Sequence, residues 1–167
     1  MKIFRTKYSL LNFWLDVAVI IAAFSLVLYI FFWPARIQGD SMAPNLSAGD
    51  HFISSRFLAN FGRLSAGDLV LANIDGRTVI KRLAAAPGDH LVITRSGIYI
   101  NGAAAHWQTS GHSNVDIDIV LAAGEYFIIG DDLLRSRDSR HLGPVENRHI
   151  LAKILLRYFP FDNIKFY

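Results

Sequence analysis

Two short segments forty residues apart carry the side chains best suited to chemistry. Gly39-Asp40-Ser41-Met42-Ala43-Pro44 presents a serine in a glycine- and proline-rich turn, and Val79-Ile80-Lys81-Arg82 sets a lysine among apolar residues on an expected strand. A serine hydroxyl is a weak nucleophile until a base takes its proton. A lysine without its own proton can be that base, and needs no aspartate partner. Strand alternation turns Val79, Lys81 and Leu83 one way and Ile80 and Arg82 the other. Apolar neighbours on its own face desolvate Lys81 and disfavour its charged form. To act as a base near neutral pH the amine must fall about 3 units from about 10.4, which is about 4 kcal/mol of differential destabilisation. Taken singly, each residue has an ordinary reading, a turn-forming serine and a surface lysine whose stem lies along a sheet. Their joint presence points to a Ser/Lys dyad.

The surroundings of the serine fit that role. Gly39 allows close backbone approach, Met42 is apolar and Pro44 fixes the exit of the turn. The Ser41 amide can donate one hydrogen bond to an oxyanion, and the sequence names no second donor. A third segment, Gly130 to Val145, is dense in charge; by itself it reads as a solvated loop, or as extended backbone on which Asp138 and Arg140, spaced i, i+2, share a face and pair with each other or with neighbouring strands. The six histidines, at 51, 90, 106, 112, 141 and 149, show no metal-ligand spacing, so neither a metal nor another cofactor is expected.

These segments need a scaffold, and the chain of 167 residues has room for one modest domain and an anchor. Residues 13–33 read FWLDVAVIIAAFSLVLYIFFW, with Asp16 the only charge. A helix of that length spans about 31 Å, enough for a hydrocarbon core of about 30 Å. The run is longer than the apolar region of a cleavable leader and lacks a small-x-small site after it, so an uncleaved anchor is expected. Lys2, Arg5 and Lys7 precede the span, whereas Arg36 alone closely follows it. The positive-inside rule then leaves a tail, residues 1–12, in the cytoplasm, with the anchor at 13–33 and an exported domain at 34–167. Ser41, eight residues past Trp33, would work at the outer face of the plasma (inner) membrane. The net charge of +3 suits a solvated basic face or anionic headgroups, and an exported domain makes nucleic acid an unsuitable partner. The absence of cysteine leaves the exported domain to be held by its core.

Past the anchor the pattern is that of a β protein. Ser47-Ala48-Gly49-Asp50, Ser65-Ala66-Gly67-Asp68, Ala86-Pro87-Gly88-Asp89 and Ala122-Ala123-Gly124-Glu125 are near-copies of one turn, followed by strands expected at 51–54, 69–73, 90–94 and 126–129. Further strands are expected at 79–83, 97–100 and 152–159, with a tight hairpin at Asn101-Gly102 and a short helical turn near 56–61. Residues 103–114 read as a surface loop. The aromatics of 52–61 and of 158–167 suit either a core or an apolar rim resting on a membrane. The expected fold is an all-β catalytic domain of antiparallel sheets on one N-terminal transmembrane helix.

Together the segments resemble the type I signal peptidase family, the membrane-bound Ser/Lys endopeptidases that remove signal peptides. The family's serine box, G-x-S-M-x-P-T-L-x-x-G-D, is matched by Gly39 to Asp50, with Asn45 in place of Thr. Its G-D-[IV]-V-x-[FV] strand resembles residues 67–72. Its lysine box matches Val79 to Asp89, and its last box, G-D-N-x-x-x-S-x-D-S-R-x-x-G-x-V, matches Gly130 to Val145 with Asp132 in place of Asn. The resemblance implies that Ser41 is the nucleophile and Lys81 the general base. It implies that Ser136 orients the lysine amine and that Asp138 and Arg140 hold the active-site segment through a salt bridge. Gly39, at the position that often helps form the oxyanion hole, could contribute only backbone. Ile37, Met42 and Ile80 would line shallow pockets for the small residues of an Ala-x-Ala cleavage site. Signal peptides of translocated precursors would be the substrates and the lipid bilayer the setting.

The departures at Asn45, Asp132 and Leu133 leave room for a specialised peptidase serving a pilin or one secretion system. A non-catalytic membrane-anchored β module would have no need of both Ser41 and Lys81. A self-cleaving Ser/Lys switch protein would need a DNA-binding helical domain that the sequence lacks.

Overall fold

The computed structural model describes residues 10–167; the expected tail charges Lys2, Arg5 and Lys7 lie outside the described residues. The chain divides into two units at Phe32–Trp33. The first holds helix α1, Leu10–Phe31, long and apolar enough to cross a membrane by length and composition. The apolar run was expected to stay helical to Trp33. Instead, Phe32 and Trp33 open strand β1, Phe32–Arg36. Pro34 disfavours helical backbone in the residue before it, and the Trp33 carbonyl accepts a hydrogen bond from Ser54 Oγ at 2.8 Å.

The second unit is built from short antiparallel strands. In chain order they are β2 (His51–Ser55), β3 (Leu69–Ile74), β4 (Arg77–Ala85), β5 (His90–Thr94), β6 (Gly97–Ile100), β7 (Ala103–Ala104), β8 (Ile117–Val120), β9 (Glu125–Ile129), β10 (Val145–Glu146), β11 (Ile150–Phe159) and β12 (Lys165–Phe166). Helix α2, Arg56–Phe61, follows β2, and the short α3, Ser139–Leu142, precedes β10. One sheet runs β1-β2-β11-β3-β4-β9-β10 with β12 on β11, and a smaller one runs β7-β6-β5-β8. The pairings from β2 onward are antiparallel. All seven expected strands are present to within two residues at each end. The strands β1, β7, β8, β10 and β12 were not anticipated, being short or lacking a turn of the repeated kind; β7 opens the stretch 103–114 that was expected as a loop.

That repeated turn does the same job four times. Gly49, Gly67, Gly88 and Gly124 take φ between +80° and +98°, the conformation a type II turn demands at its third residue. The acid that follows then accepts from the amide three residues back: Asp50 from Ser47 at 3.1 Å, Asp68 from Ser65 at 3.0 Å, Asp89 from Ala86 at 2.9 Å and Glu125 from Ala122 at 3.2 Å. Both requirements are local, which is why they could be read from sequence.

Three apolar clusters fill the body. One joins Leu91, Ile93, Phe127 and Ile129 beneath the smaller sheet. A second sets Ile37, Met42, Leu46, Phe52, Leu69, Ile80 and Ile154 under the serine turn, and a third holds Leu83, Val70, Ala72 and Ile128. Ile80 and Leu83 fall in different clusters, as their opposite directions on β4 require. Fully burying each Leu, Ile or Phe is worth roughly 1.5–3 kcal/mol, so β4 is fixed from both faces at the point where it carries Lys81.

Candidate active site

Ser41 lies in the turn between β1 and β2. That turn is tied at its base by Ile37 N–H to the Asp50 carbonyl at 3.0 Å and Gly49 N–H to the Ile37 carbonyl at 3.1 Å. Met42 and Leu46, each 1% exposed, plug it into the second cluster. Gly39 holds φ +98°, a conformation costly for any residue with a Cβ. The far side of the turn is held by Asp132, whose N–H donates to the Ser41 carbonyl at 3.1 Å.

Lys81 projects from the middle of β4 and is 3% exposed. Its Nζ stands 2.9 Å from Ser41 Oγ and donates to Ser136 Oγ at 2.8 Å. Among the ion pairs of the described residues none includes Lys81. Burial pushes its pKa down from the ordinary lysine value. Asp138 opposes that shift, and the Arg140 charge adds to it.

Ser136 is set by the turn that opens at Asp132. Asp132 Oδ1 accepts from Leu134 N–H and Arg135 N–H, both at 3.1 Å, and its carbonyl accepts from Ser136 N–H at 3.1 Å. Asp138 and Arg140 do pair, with Asp138 on extended backbone and Arg140 in the helix that follows. Asp138 is the N-cap of α3, accepting from Arg140 N–H at 3.2 Å, and the Arg140 side chain curls back onto it with Nε and Nη2 each at 2.9 Å. Arg140 also donates to the Leu133 and Ser136 carbonyls, at 2.8 and 3.3 Å, so the ion pair clamps both ends of the loop that carries Ser136. Burial alone would raise Asp138. Hydrogen bonds from Arg140, Ser136 and the Gly130 amide outweigh it and hold the carboxyl below its usual range.

Two contributors escaped the sequence reading. A Cβ on Gly130 would collide with Ser136 Oγ and with the Ser41 carbonyl, so the absence of a side chain lets the two serines converge. Asn45 donates to Asp131 Oδ2 at 2.8 Å and to the Gln108 carbonyl at 2.7 Å, while Ser110 Oγ donates to the Ala43 carbonyl at 3.3 Å. The stretch 103–114, expected as a plain surface loop, therefore straps the serine turn. The partners are 63 to 86 residues apart, beyond the reach of any local pattern.

A cleft of about 480 Å³ opens beside Ser41, and Ile37, Met42 and Ile80 are among its lining residues, together with Ala35, Leu71 and Val79. These side chains make its wall beside the hydroxyl apolar.

A family model described as signal peptidase, peptidase S26, matches residues 10–159. A signal peptidase I of Bacillus licheniformis is 27% identical over 91% of this chain and 90% of its own. The mitochondrial ATP-independent inner membrane protease subunit 1a of Arabidopsis thaliana is 30% identical over 75% of this chain and 69% of its own. A solved signal peptidase I from Enterococcus faecalis shares 22% identity, with a TM-score of 0.46 over 55% of this chain and 96% of that one. With the match running from α1 to the end of β11, the chain belongs to the signal peptidase, peptidase S26, family.

Proposed function

We propose that the protein is a membrane-anchored signal peptidase of type I, cutting translocated precursors after small residues by Ser/Lys acyl-enzyme chemistry. The observation that carries this reading is the 2.9 Å separation of Lys81 Nζ from Ser41 Oγ, in a buried site where no carboxylate pairs with the amine. The neutral amine, donating one N–H to Ser136, keeps its lone pair for the Ser41 proton. As Ser41 Oγ attacks the scissile carbonyl, Lys81 takes that proton and passes it to the leaving amine. It then removes a proton from the water that attacks the ester. Ser41 N–H donates to the oxyanion, with Gly39 leaving the backbone path to it open. Ile37, Met42 and Ile80 accept side chains no larger than alanine beside the scissile bond, which favours Ala-x-Ala precursors. Helix α1 anchors the domain with the N-terminus in the cytoplasm and the serine on the outer face. The apolar part of the substrate is then held in the same bilayer, and much of the orientational entropy is lost before encounter. No cofactor takes part.

The test is cleavage of a precursor ending in Ala-x-Ala by the detergent-purified full chain, beside Ser41→Ala and Lys81→Ala. Product at the expected bond, lost in both variants, supports the dyad and the reaction class together. Product that survives both substitutions sinks the assignment. An intact precursor with the unaltered protein favours a peptidase dedicated to one substrate.

A further inference from the structure

The cleft beside Ser41 has two ends of different chemistry. Ile37, Met42 and Ile80 make the serine end apolar. At the other end β1 meets α2, and the Arg56 guanidinium carbon stands 3.7 Å from the centre of the Trp33 ring. Arg36 lines the same cleft, one residue before Ile37. Arg36 and Arg56 are exposed, they are the charged residues lining the cleft, and neither takes part in the ion pairs seen among the described residues. A guanidinium stacked on an indole is held in place while its N–H edge stays free in the plane, the geometry that grips a carboxylate through two hydrogen bonds.

We propose that this end of the cleft is a cationic subsite for an acidic side chain of the precursor, about four to six residues upstream of the scissile bond. The inference rests on the peptidase reading above. Its register comes from β1: Trp33 lies four residues before Ile37, or about 13 Å at the rise of a strand, and an extended peptide in the cleft advances at the same pitch. An acidic residue there meets the Arg56 guanidinium, with no carboxylate among the residues that line the cleft. A basic residue meets like charge. The alternative occupant is the phosphate of an anionic lipid, but these arginines share one cleft with Ser41, which favours the peptide.

The experiment uses the full chain in neutral phosphatidylcholine vesicles and precursors identical except for Glu, Gln or Lys at the fourth, fifth or sixth upstream position. The expected order of kcat/KM is Glu, then Gln, then Lys, with a spread of about tenfold at one of the three positions that narrows at high salt. Arg56→Glu reverses the order, and Arg56→Lys keeps its sign with a smaller spread. Equilibrium binding of the same peptides to the Ser41→Ala variant follows the same order. Equal cleavage and equal binding of all three peptides, untouched by Arg56→Glu, overturn the subsite while leaving the peptidase reading intact. No cleavage of any precursor, with binding still ordered by charge, keeps the subsite and sinks the peptidase reading. If charge at the upstream position is without effect and Arg56→Glu only weakens binding to phosphatidylserine vesicles, the arginine serves lipid and the proposal fails.

Discussion

Lys81 and Arg82 are neighbours on one strand, both cationic and both buried, yet they face opposite sides of β4 and have opposite surroundings. Arg82 is fully matched: its Nε and Nη2 reach the two oxygens of Asp131 at 2.7 and 2.6 Å, and Nη1 reaches the Gly67 carbonyl at 2.8 Å. The guanidinium also lies 5.7 Å from the centre of the Trp107 ring. Lys81 meets two hydroxyls and no carboxylate. A buried cation with a paired anion stays charged and acts as a brace. A buried cation given only neutral partners loses its proton readily and becomes available as a base. The carboxylate nearest to that role, Asp138, is already taken by Arg140. The same strand thus holds a structural cation and the amine proposed as the base, and the position of one carboxylate separates them.

The sharpest way to break this comparison is to make the two sides alike. Lys81→Arg places a permanent charge where a neutral amine is needed, and cleavage should fall at least about 10⁴-fold, the scale of removing one member of a catalytic unit. A single-turnover assay with a folded variant, checked by circular dichroism, measures it, and retained activity would mean that no base acts from position 81. Next, Asp131→Ala strips the brace of its anion and leaves Arg82 buried and unpaired, at a cost of about 3–5 kcal/mol in urea unfolding. Lys153→Ala, removing one partner of the more exposed pair with Asp68 at 2.7 Å, is the control and should cost far less.

A smaller effect sharpens the chemical side. Ser136→Ala removes the hydroxyl that holds the amine, and on the proposed mechanism, in which Ser136 orients the base and does not bind substrate, kcat should drop by about 10²-fold with KM little changed. A loss confined to KM would reassign Ser136 to the cleft. The smallest effect lies in pH dependence. The folded-state pKa of Lys81 is below its unfolded value of 10.5, so between the two the unfolded chain binds the extra proton. Folding is penalised below the folded value, and the penalty fades as pH rises towards 10.5. Lys81→Met should therefore gain Tm relative to the parent at neutral pH, with the gap closing as pH climbs. A gap that does not change with pH would show that Lys81 is not held neutral by burial.

What could be read ahead of the fold was local chemistry. The four small-Gly-acid turns announced four strands because glycine with positive φ and an acid three residues past an amide are satisfied within four residues. The apolar run of α1 and the alternation around Lys81 were legible for the same reason, each depending on period alone. The end of α1 was misjudged because apolarity continues through Phe32 and Trp33, while Pro34 and the hydrogen bond from Ser54 end the helix first. The i, i+2 spacing of Asp138 and Arg140 allowed a pair among other readings; the fold makes it by keeping Asp138 extended as an N-cap and placing Arg140 in the helix that it caps.

The sequence by itself determined which residues could react, that one helix is apolar and long enough for a membrane, and that strands would follow. Tertiary structure alone decided that Ser41, Lys81 and Ser136 converge within hydrogen-bond reach across 40 and 55 residues, and that Gly130 leaves room for them. It also decided that Asn45 and Asp131 make a brace of Arg82, while Lys81 one residue earlier is left without an anion. Side-chain type and period are properties of neighbouring residues. The environment that sets a pKa is assembled from strands paired across the whole domain, and it exists only once they have packed.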